Sequence, residues 1–567
     1  MHVLGISCFF HDSAAALVSD GEVVAAVQEE RLSREPGAPH FPKRAINHCL
    51  QTAGITIEEV DHAVFHEKPF LKFARVVQSH VRAWPRGYRQ TLSTFPSWLE
   101  DRLVPSFVLE RETGASCPTH FVKHHHSHAA TAFFLSPFDE AAVLTVDGVG
   151  EMATAAWGRG SGTSVRIDRE LRYPHSLGLM YSAVAEYLGF ARHSGEDCVA
   201  ALAPRGQPTL LDRLRSLVAP RDDGGFRLDE RWFSFATGPP LYGPRFVHEM
   251  GPPRRPDQAL EQRHLDLAAS MQALLEERMV AMARQVRAST GLERLCLGGG
   301  VAQNAACVSR IVEDSGFREV FVPPAPGNDG SAVGAALAVA CANGAPRPGA
   351  GSAFLGPAVP LAHTKRLLTN SRLPFTEMPA DEKAARAASI IARDGVVGWV
   401  QGRLEMARRP LGSRAFLFDP RRRDRVEQLA HNLSQTEAHP NLGVLVRQEQ
   451  CADWFEPGCS SPYQMMAPRV HVHKRPPLEG VTRPDGRAHV QTVAREHSPL
   501  LWQLLDALEK EGGVPLLGIV PMQDGASPLA CAPEDVVAMC RKSGVARLII
   551  ETLMIDLPTV LPSPTAG

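Results

Sequence analysis

The sequence predicts an α/β protein of two domains, the first assembled from two similar halves. Three observations lead there. The chain has 567 residues, too many for a single hydrophobic core. A strand–turn–strand unit with a polar or acidic turn occurs twice in the N-terminal part. Beyond a Pro/Gly-rich stretch, short apolar runs sit among helical segments, the pattern of a further α/β domain.

In the first unit Val3 to Ile6 is apolar, His11-Asp12-Ser13 breaks the run, and Ala14 to Val18 resumes it. Ser19-Asp20-Gly21 then turns the chain into Glu22 to Val27, which predicts a hairpin. The second unit is Ala141 to Val146, the turn Asp147-Gly148-Val149-Gly150, and Ala153 to Trp157. Two such units predict duplicated halves facing a cleft, as in the sugar-kinase, heat-shock-ATPase and actin fold. Hydroxyl, carboxylate and backbone N–H groups in those turns suit phosphates and a metal. Leu260 to Arg287 is amphipathic and free of Pro and Gly, so a helix is predicted. The strand Arg294 to Gly298 follows and runs through Gly299 and Gly300 toward another helix. Such glycines let a backbone approach a ligand and aim helix N–H groups at it, or simply form a tight turn. Asn343 to Gly351 reads as a linker, and Val396 to Val400 and Val514 to Leu517 as buried strands of the second domain. The expected boundaries are therefore 1–345, 352–556 and a frayed tail at 557–567.

Bulk properties exclude several classes. A formal net charge of −2 gives no reason to expect nucleic acid or an anionic membrane as partner. The run Arg421 to Arg425 reads as a solvated turn. No apolar run reaches the roughly 20 residues of a spanning helix, and Met1 to Ser7 lacks a basic leader. Eleven cysteines, none in a Cys-x-x-Cys pair, predict buried thiols in a reducing cytoplasm. The aromatic segment Phe65 to Leu109, with Trp84 and Trp98, reads as core in preference to an acceptor pocket.

The segment Lys123 to Ala130 carries the most chemistry. His124 and His128 stand four apart, on one face of a helix, and Asp147 ends a strand. Two imidazoles and one carboxylate suit iron(II) or a similar divalent ion, while a His-rich helix start with local pairing is the plainer alternative.

A family resemblance adds to these readings. Phe10 to Leu17, Glu29-Glu30-Arg31, His124 to Ala130, Val146 to Glu151, Ser176-Leu177-Gly178 with Tyr181, and Gly298 to Asn304 occur in this order. So do Gln401-Gly402-Arg403 and Ala532-Pro533-Glu534-Asp535. Together they resemble the O-carbamoyltransferases of nodulation-factor and antibiotic biosynthesis over nearly the whole chain. The resemblance implies a C-terminal YrdC-like domain that makes carbamoyl-adenylate from carbamoyl phosphate and ATP. It implies an N-terminal domain, similar to the tRNA threonylcarbamoyl-transfer enzymes, that passes the carbamoyl group to a hydroxyl of a small acceptor. Carried over, His124, His128 and Asp147, with Asn328 and Asp329, would hold the metal. Gly298, Gly299, Gly300, Asn304, Gly195 and Glu196 would meet the nucleotide, with Arg403, Arg409 and Arg414 in the second domain. His11, beside Asp12, would be the base or orienting group for the acceptor, a role that suits an imidazole near neutral pH. A homodimer is compatible with this reading.

Departures from the family pattern shape the expectation. The family continues after Arg34 with a Lys-His-Asp run, where this chain has Pro36-Gly37-Ala38. Cys198 follows Gly195-Glu196-Asp197 where the family carries a lysine, and Asn328 stands where it carries a late aspartate. Its Gly-Pro-Arg-Ala-Leu-Gly is Ala407 to Gly412 here, its Arg-Pro-Phe-Ala-Pro run is missing around His439-Pro440-Asn441, and its Asn-Thr-Ser-Phe-Asn segment reads Gly518 to Met522. Each lost charge-assisted contact is worth roughly 1.5–3 kcal/mol. Weak or absent carbamoyl-adenylate synthesis is the expectation. A homologue handling another activated group, or a silent binding subunit, are the alternatives.

Overall fold

A computed structural model describes residues 1–85, 92, 95–96, 98–191, 195–349, 351–433, 442–525 and 527–558. The segment around His439, Pro440 and Asn441 and the tail from residue 559 lie outside them. The chain divides into two compact units, Met1–Ser33 with Gly37–Gly351, and Arg34–Pro36 with Ser352–Gly567.

The first unit contains two five-stranded sheets. One consists of β1 (His2–Ser7), β2 (Ala14–Ser19), β3 (Glu22–Gln28), β4 (His62–Phe65) and β5 (Thr119–Phe121), in the order β3-β2-β1-β4-β5. The other consists of β6 (Glu140–Val146), β7 (Ala153–Ser161), β8 (Ser164–Arg172), β9 (Arg294–Gly298) and β10 (Glu319–Phe321), in the order β8-β7-β6-β9-β10. In each, an antiparallel three-strand meander is followed by two strands added in parallel to its first strand. The same path twice is the duplicated sugar-kinase and actin-like organisation predicted from the two turn units. The β2–β3 connection is a two-residue turn, Asp20-Gly21, with both φ values positive at 51° and 91°. That backbone matches the right-handed twist of the flanking strands and is one that glycine adopts freely.

Two helices, His124–Phe134 and Asn328–Ala342, pack against each other and bring polar side chains inward. Gly334 makes the close crossing possible: a Cβ there would lie 2.0 Å from the Ser127 carbonyl oxygen. Thr131 Oγ1 then donates to the Gly330 carbonyl at 2.9 Å, tying the pair. The long predicted helix spans Gln262–Thr290 and stops at Gly291, which has φ 70°. The predicted linker behaves differently from a free tether. Arg347 donates to the carbonyls of Phe133 (2.6 Å), Phe134 (3.3 Å), Ser136 and Phe138, pinning this segment to the first unit as far as Gly351. Trp98 is buried beside Phe73, in line with the core reading, whereas Trp84 is exposed.

The second unit is built on eight strands: β11 (Phe375–Glu377), β12 (Val396–Val400), β13 (Arg414–Phe418), β14 (Gly443–Arg447), β15 (Val490–Val493), β16 (Leu516–Pro521), β17 (Arg547–Ile550) and β18 (Leu553–Asp556). Their order is β11-β18-β17-β12-β13-β16-β14-β15. Helices Lys383–Asp394 and Pro499–Lys510 cover one face, burying Trp399, Leu517 and Ile549. β16 extends beyond the predicted Val514 to Leu517 because Gly518 and Ile519 pair with β13 on one side and β14 on the other, and Val520 pairs with β13. Gly518 leaves room for the Phe418 ring, 2.0 Å from where its Cβ would stand.

Candidate functional site

The His124–Phe134 helix starts where Glu151 fixes it. Glu151 Oε1 accepts from the backbone N–H groups of His124 (3.0 Å) and Lys68 (2.8 Å), placing a carboxylate at the positive end of the helix. His124 and His128 then project from one face toward Asp147, which directly follows β6. Asp147 Oδ2 lies 2.8 Å from His124 Nε2 and 3.1 Å from His128 Nε2, and the two Nε2 atoms are 3.0 Å apart. Burial, with the neighbouring His128, pushes His124 down to about 3. Asp147 is held well below the usual carboxylate range: burial opposes its charge, but the contacts to His124 and His128 outweigh it. The set is thus one carboxylate with a neutral His124 beside it, the protonation that metal ligands require.

The spacing also fits a cation. Ligand atoms about 2.1 Å from a common centre and at right angles to each other stand about 3.0 Å apart. All three separations here are close to that value. His124 is further grouped with His66 and Glu67, all three buried. Burial opposes the Glu67 charge, but Lys72, 2.7 Å away, together with His66 and His124 outweighs it and holds that carboxyl at about 2. By contrast His125 is spent structurally, bonded to Thr145 Oγ1 (2.8 Å) and the Ala153 carbonyl (3.1 Å).

His11 lies in the turn after β1. Its Nδ1 donates to Asp12 Oδ2 at 2.7 Å, leaving Nε2 as the acceptor nitrogen, which faces the Asn328 amide nitrogen at 3.1 Å. Burial works to lower the His11 pKa, but Asp12 and the charges of Asp147 and Glu196 raise it above the ordinary value.

The glycine run closes on this constellation from below. Gly299 has φ 85°, and a Cβ there would fall 2.3 Å from the Val146 carbonyl oxygen. A Cβ on Gly300 would fall 2.9 Å from Asp147 Oδ1. The tight-turn reading of these glycines therefore holds, and their tightness brings the turn against the end of β6. Gly298 ends β9 beneath the His128 carbonyl.

Residues 2–337 match the family model for the carbamoyltransferase N-terminus, and residues 388–556 match that for the carbamoyltransferase C-terminus. The chain belongs to the carbamoyltransferase family. Its relatives include an uncharacterized protein of Synechocystis, 36% identical over 98% of this chain and 96% of that one. Nodulation protein NolNO of Sinorhizobium fredii is 32% identical over 98% and 80%, and nodulation protein NolO of Bradyrhizobium diazoefficiens is 31% identical over 76% and 78%. Among solved structures, component A of (R)-2-hydroxyglutaryl-CoA dehydratase from Acidaminococcus fermentans aligns with 16% identity and TM-score 0.33, covering 60% of this chain and 99% of that one. Full-length HypF aligns with 14% identity and TM-score 0.32, covering 62% and 47%. The protein is a carbamoyl-transfer enzyme. Among its described residues no helix is long and apolar enough to cross a membrane.

Within this carbamoyltransferase the remaining predicted residues divide sharply. Asp329 Oδ2 accepts from Gln28 Nε2 at 2.9 Å, and Asp329 falls in neither group of cation-ready side chains among the described residues. Asn304 caps the Ala305–Asp314 helix by accepting from the Cys307 N–H at 3.0 Å, and exchanges amide hydrogen bonds with Gln272. Gly195 begins a helix, and Glu196 accepts from Ser182 Oγ at 2.5 Å while its charge reaches His11.

In the second unit, Arg414 is fully buried and donates to the carbonyls of Gln401, Gly402, Ser413 and Pro357, and Arg403 donates to those of Gly356 and Leu355. Both thus tie neighbouring loops of the second unit together through backbone carbonyls. Arg409 is different. It is buried beside His489, which burial and the charges of Arg409 and Arg483 drive well below the ordinary histidine range. Arg483 Nη1 donates to His489 Nε2 at 3.4 Å. Sequence reading missed Arg483 and His489, since neither falls in a recognisable motif. It also passed over Glu67, whose only signal was an acidic residue at the end of a strand.

Proposed function

We propose that this carbamoyltransferase moves a carbamoyl group to a hydroxyl of a small acceptor in the first unit, using carbamoyl-adenylate as donor. The observation that carries the proposal is the convergence of His124, His128 and Asp147 within 3.1 Å of one another, in the unit that also holds the Asp12–His11 pair. His124, His128 and Asp147 would hold a divalent cation such as iron(II), which when bound supplies Lewis acidity toward a carbonyl oxygen. Asp12 fixes the His11 tautomer, so Nε2 presents a lone pair that can take the proton of an acceptor hydroxyl. Asn328 stands at that lone pair and must yield it to the acceptor.

Donor activation belongs, in this reading, to the second unit. Arg409 and Arg483 gather positive charge in a buried place beside the neutral His489, which suits the phosphate of carbamoyl phosphate. The stretch Gly518 to Met522 adds no polar side chain, and Val520 and Met522 are fully buried. Adenylate synthesis should accordingly run slowly compared with transfer. ATP–pyrophosphate exchange with and without carbamoyl phosphate tests this half. Slow exchange that requires carbamoyl phosphate is expected, and exchange indifferent to it would contradict the reading.

A further inference from the structure

Among the eleven cysteines, Cys451 and Cys459 form a pair. In sequence they are eight apart and form no motif. In the second unit the chain folds back between them. Cys451 opens the short helix Cys451–Trp454, Phe455–Glu456 pairs antiparallel with Arg469–Val470, and Gly458 returns to lie on Ala452. The return is tight: a Cβ on Gly458 would stand 2.9 Å from Ala452 Cβ. The His471 N–H donates to the Trp454 carbonyl at 3.0 Å, and the His471 ring meets the Ala452 carbonyl at 3.1 Å, holding the fold-back from its other side. The return brings Cys459 back beside Cys451, so that the two side chains interact and the Cys459 backbone N–H faces the Cys451 sulfur. Cys451 is buried, whereas Cys459 is half-buried between the exposed residues Gly458 and Ser460.

We propose that Cys451 and Cys459 are a redox-active dithiol that closes into a disulfide on meeting a low-molecular-weight disulfide. The fold-back sets the two thiols side by side, and one of them is partly exposed. The first proton leaves this pair more easily than from an isolated thiol, because the remaining thiol and the Cys459 N–H stabilise the thiolate. That thiolate attacks one sulfur of the oxidant, its S–S bond breaks, and one thiolate departs. The second cysteine gives its proton to the departing thiolate and attacks the mixed disulfide, releasing the other half of the oxidant, which takes up the proton lost first. Two electrons pass from the cysteine sulfurs to the oxidant, which ends as two thiols. The bridge would lie just ahead of Ser461, whose N–H donates to Thr492 Oγ1 at 2.9 Å, and of Gln464, which donates to the Pro410 carbonyl next to Arg409. It would therefore clamp the strap that supports the Arg409 loop.

The test uses the full chain and oxidised glutathione. Thiol titration and peptide mapping should find two fewer titratable thiols, a Cys451–Cys459 bridge, no retained glutathione, and full reversal by dithiothreitol. Cys451→Ser and Cys459→Ser, each conservative in size, should form no bridge and should retain glutathione on the remaining partner. The proposal is overturned if wild type keeps all eleven thiols, if glutathione stays attached to either cysteine, or if the bridge maps to another pair.

Discussion

Asn328 turns its amide nitrogen to within 3.1 Å of His11 Nε2, while its own buried side-chain oxygen has no hydrogen-bond partner among the described residues. An amide at the start of the Asn328–Ala342 helix thus stands between the proposed base and the rest of the first unit. A carboxylate there would accept from His11 instead of donating to it, and would add negative charge near Asp147. Asn328→Asp should shift the acid limb of the pH–rate profile to higher pH, because the additional charge raises the His11 pKa and the base works only when neutral. It should also tighten divalent-cation binding by roughly fivefold, since a charged acceptor is worth about 1 kcal/mol more than a neutral one. Titration with Co(II) checks the second effect, and unchanged affinity would remove Asn328 from the cation's surroundings.

The cation site itself can be probed without touching a ligand. Gly300→Ala places a methyl group 2.9 Å from the former position of Asp147 Oδ1, so the carboxylate must move. Cation affinity should drop about 10–100-fold, as for other losses of ligand orientation. Circular dichroism and the melting temperature should hardly change. Gly299→Ala is the contrasting variant: with φ 85° and the Val146 carbonyl at 2.3 Å, it should destabilise the chain by about 1–3 kcal/mol. If both variants melt early and bind normally, the glycines serve folding alone.

The roles of the buried arginines separate in the same way. Arg483→Ala should weaken carbamoyl phosphate binding about tenfold or more, the loss expected for a charge-assisted contact of roughly 1.5–3 kcal/mol, with little change in stability. Arg414→Met leaves four backbone carbonyls without their donor and should cost about 3 kcal/mol or more of stability. Calorimetry with carbamoyl phosphate and urea unfolding distinguish the two. Equal loss of binding in both variants would return Arg414 to the ligand site.

These contrasts show what could be read from the chain alone. The duplicated halves were legible because each is announced by an apolar strand, a polar turn and a second strand, with Asp20-Gly21 and Asp147-Gly148 as punctuation. His124, His128 and Asp147 were legible because helical spacing brings two residues to one face and the strand end delivers the third. Arg403, Arg409 and Arg414 look alike in sequence, yet two clamp carbonyls and one joins a cation cluster. Their difference depends on loop paths such as Leu355 to Pro357, which local patterns do not encode. Arg483 and His489 escaped notice for the same reason, as did the contact between Cys451 and Cys459.

Lys383 gives a stability signature of the second unit. It is buried over the Trp399 ring, with Nζ 4.5 Å from the centroid, and donates to Gln401 Oε1. Burial is the main reason its pKa falls from 10.5 to about 8, with the Arg414 charge adding to it and Glu551 opposing. Between these values the unfolded chain keeps a proton that the folded chain has released, so this group makes stability rise with pH across that window. Lys383→Met should remove that rise and should be the more stable form below pH 8. Urea midpoints of both proteins across the window decide it, and parallel curves would mean that Lys383 titrates normally.

The most direct measurement supplies carbamoyl-adenylate, labelled in the carbamoyl group, to the full chain with a panel of sugar and polyol acceptors. Donor synthesis is thereby bypassed. Wild type should transfer label to at least one hydroxyl compound with release of AMP. His11→Gln should reduce transfer by about 10²-fold or more, the range for a lost general base. Asp147→Asn should reduce it while carbamoyl phosphate binding stays as in wild type. Undiminished transfer by His11→Gln and Asp147→Asn would contradict the assignment of carbamoyl transfer to this site.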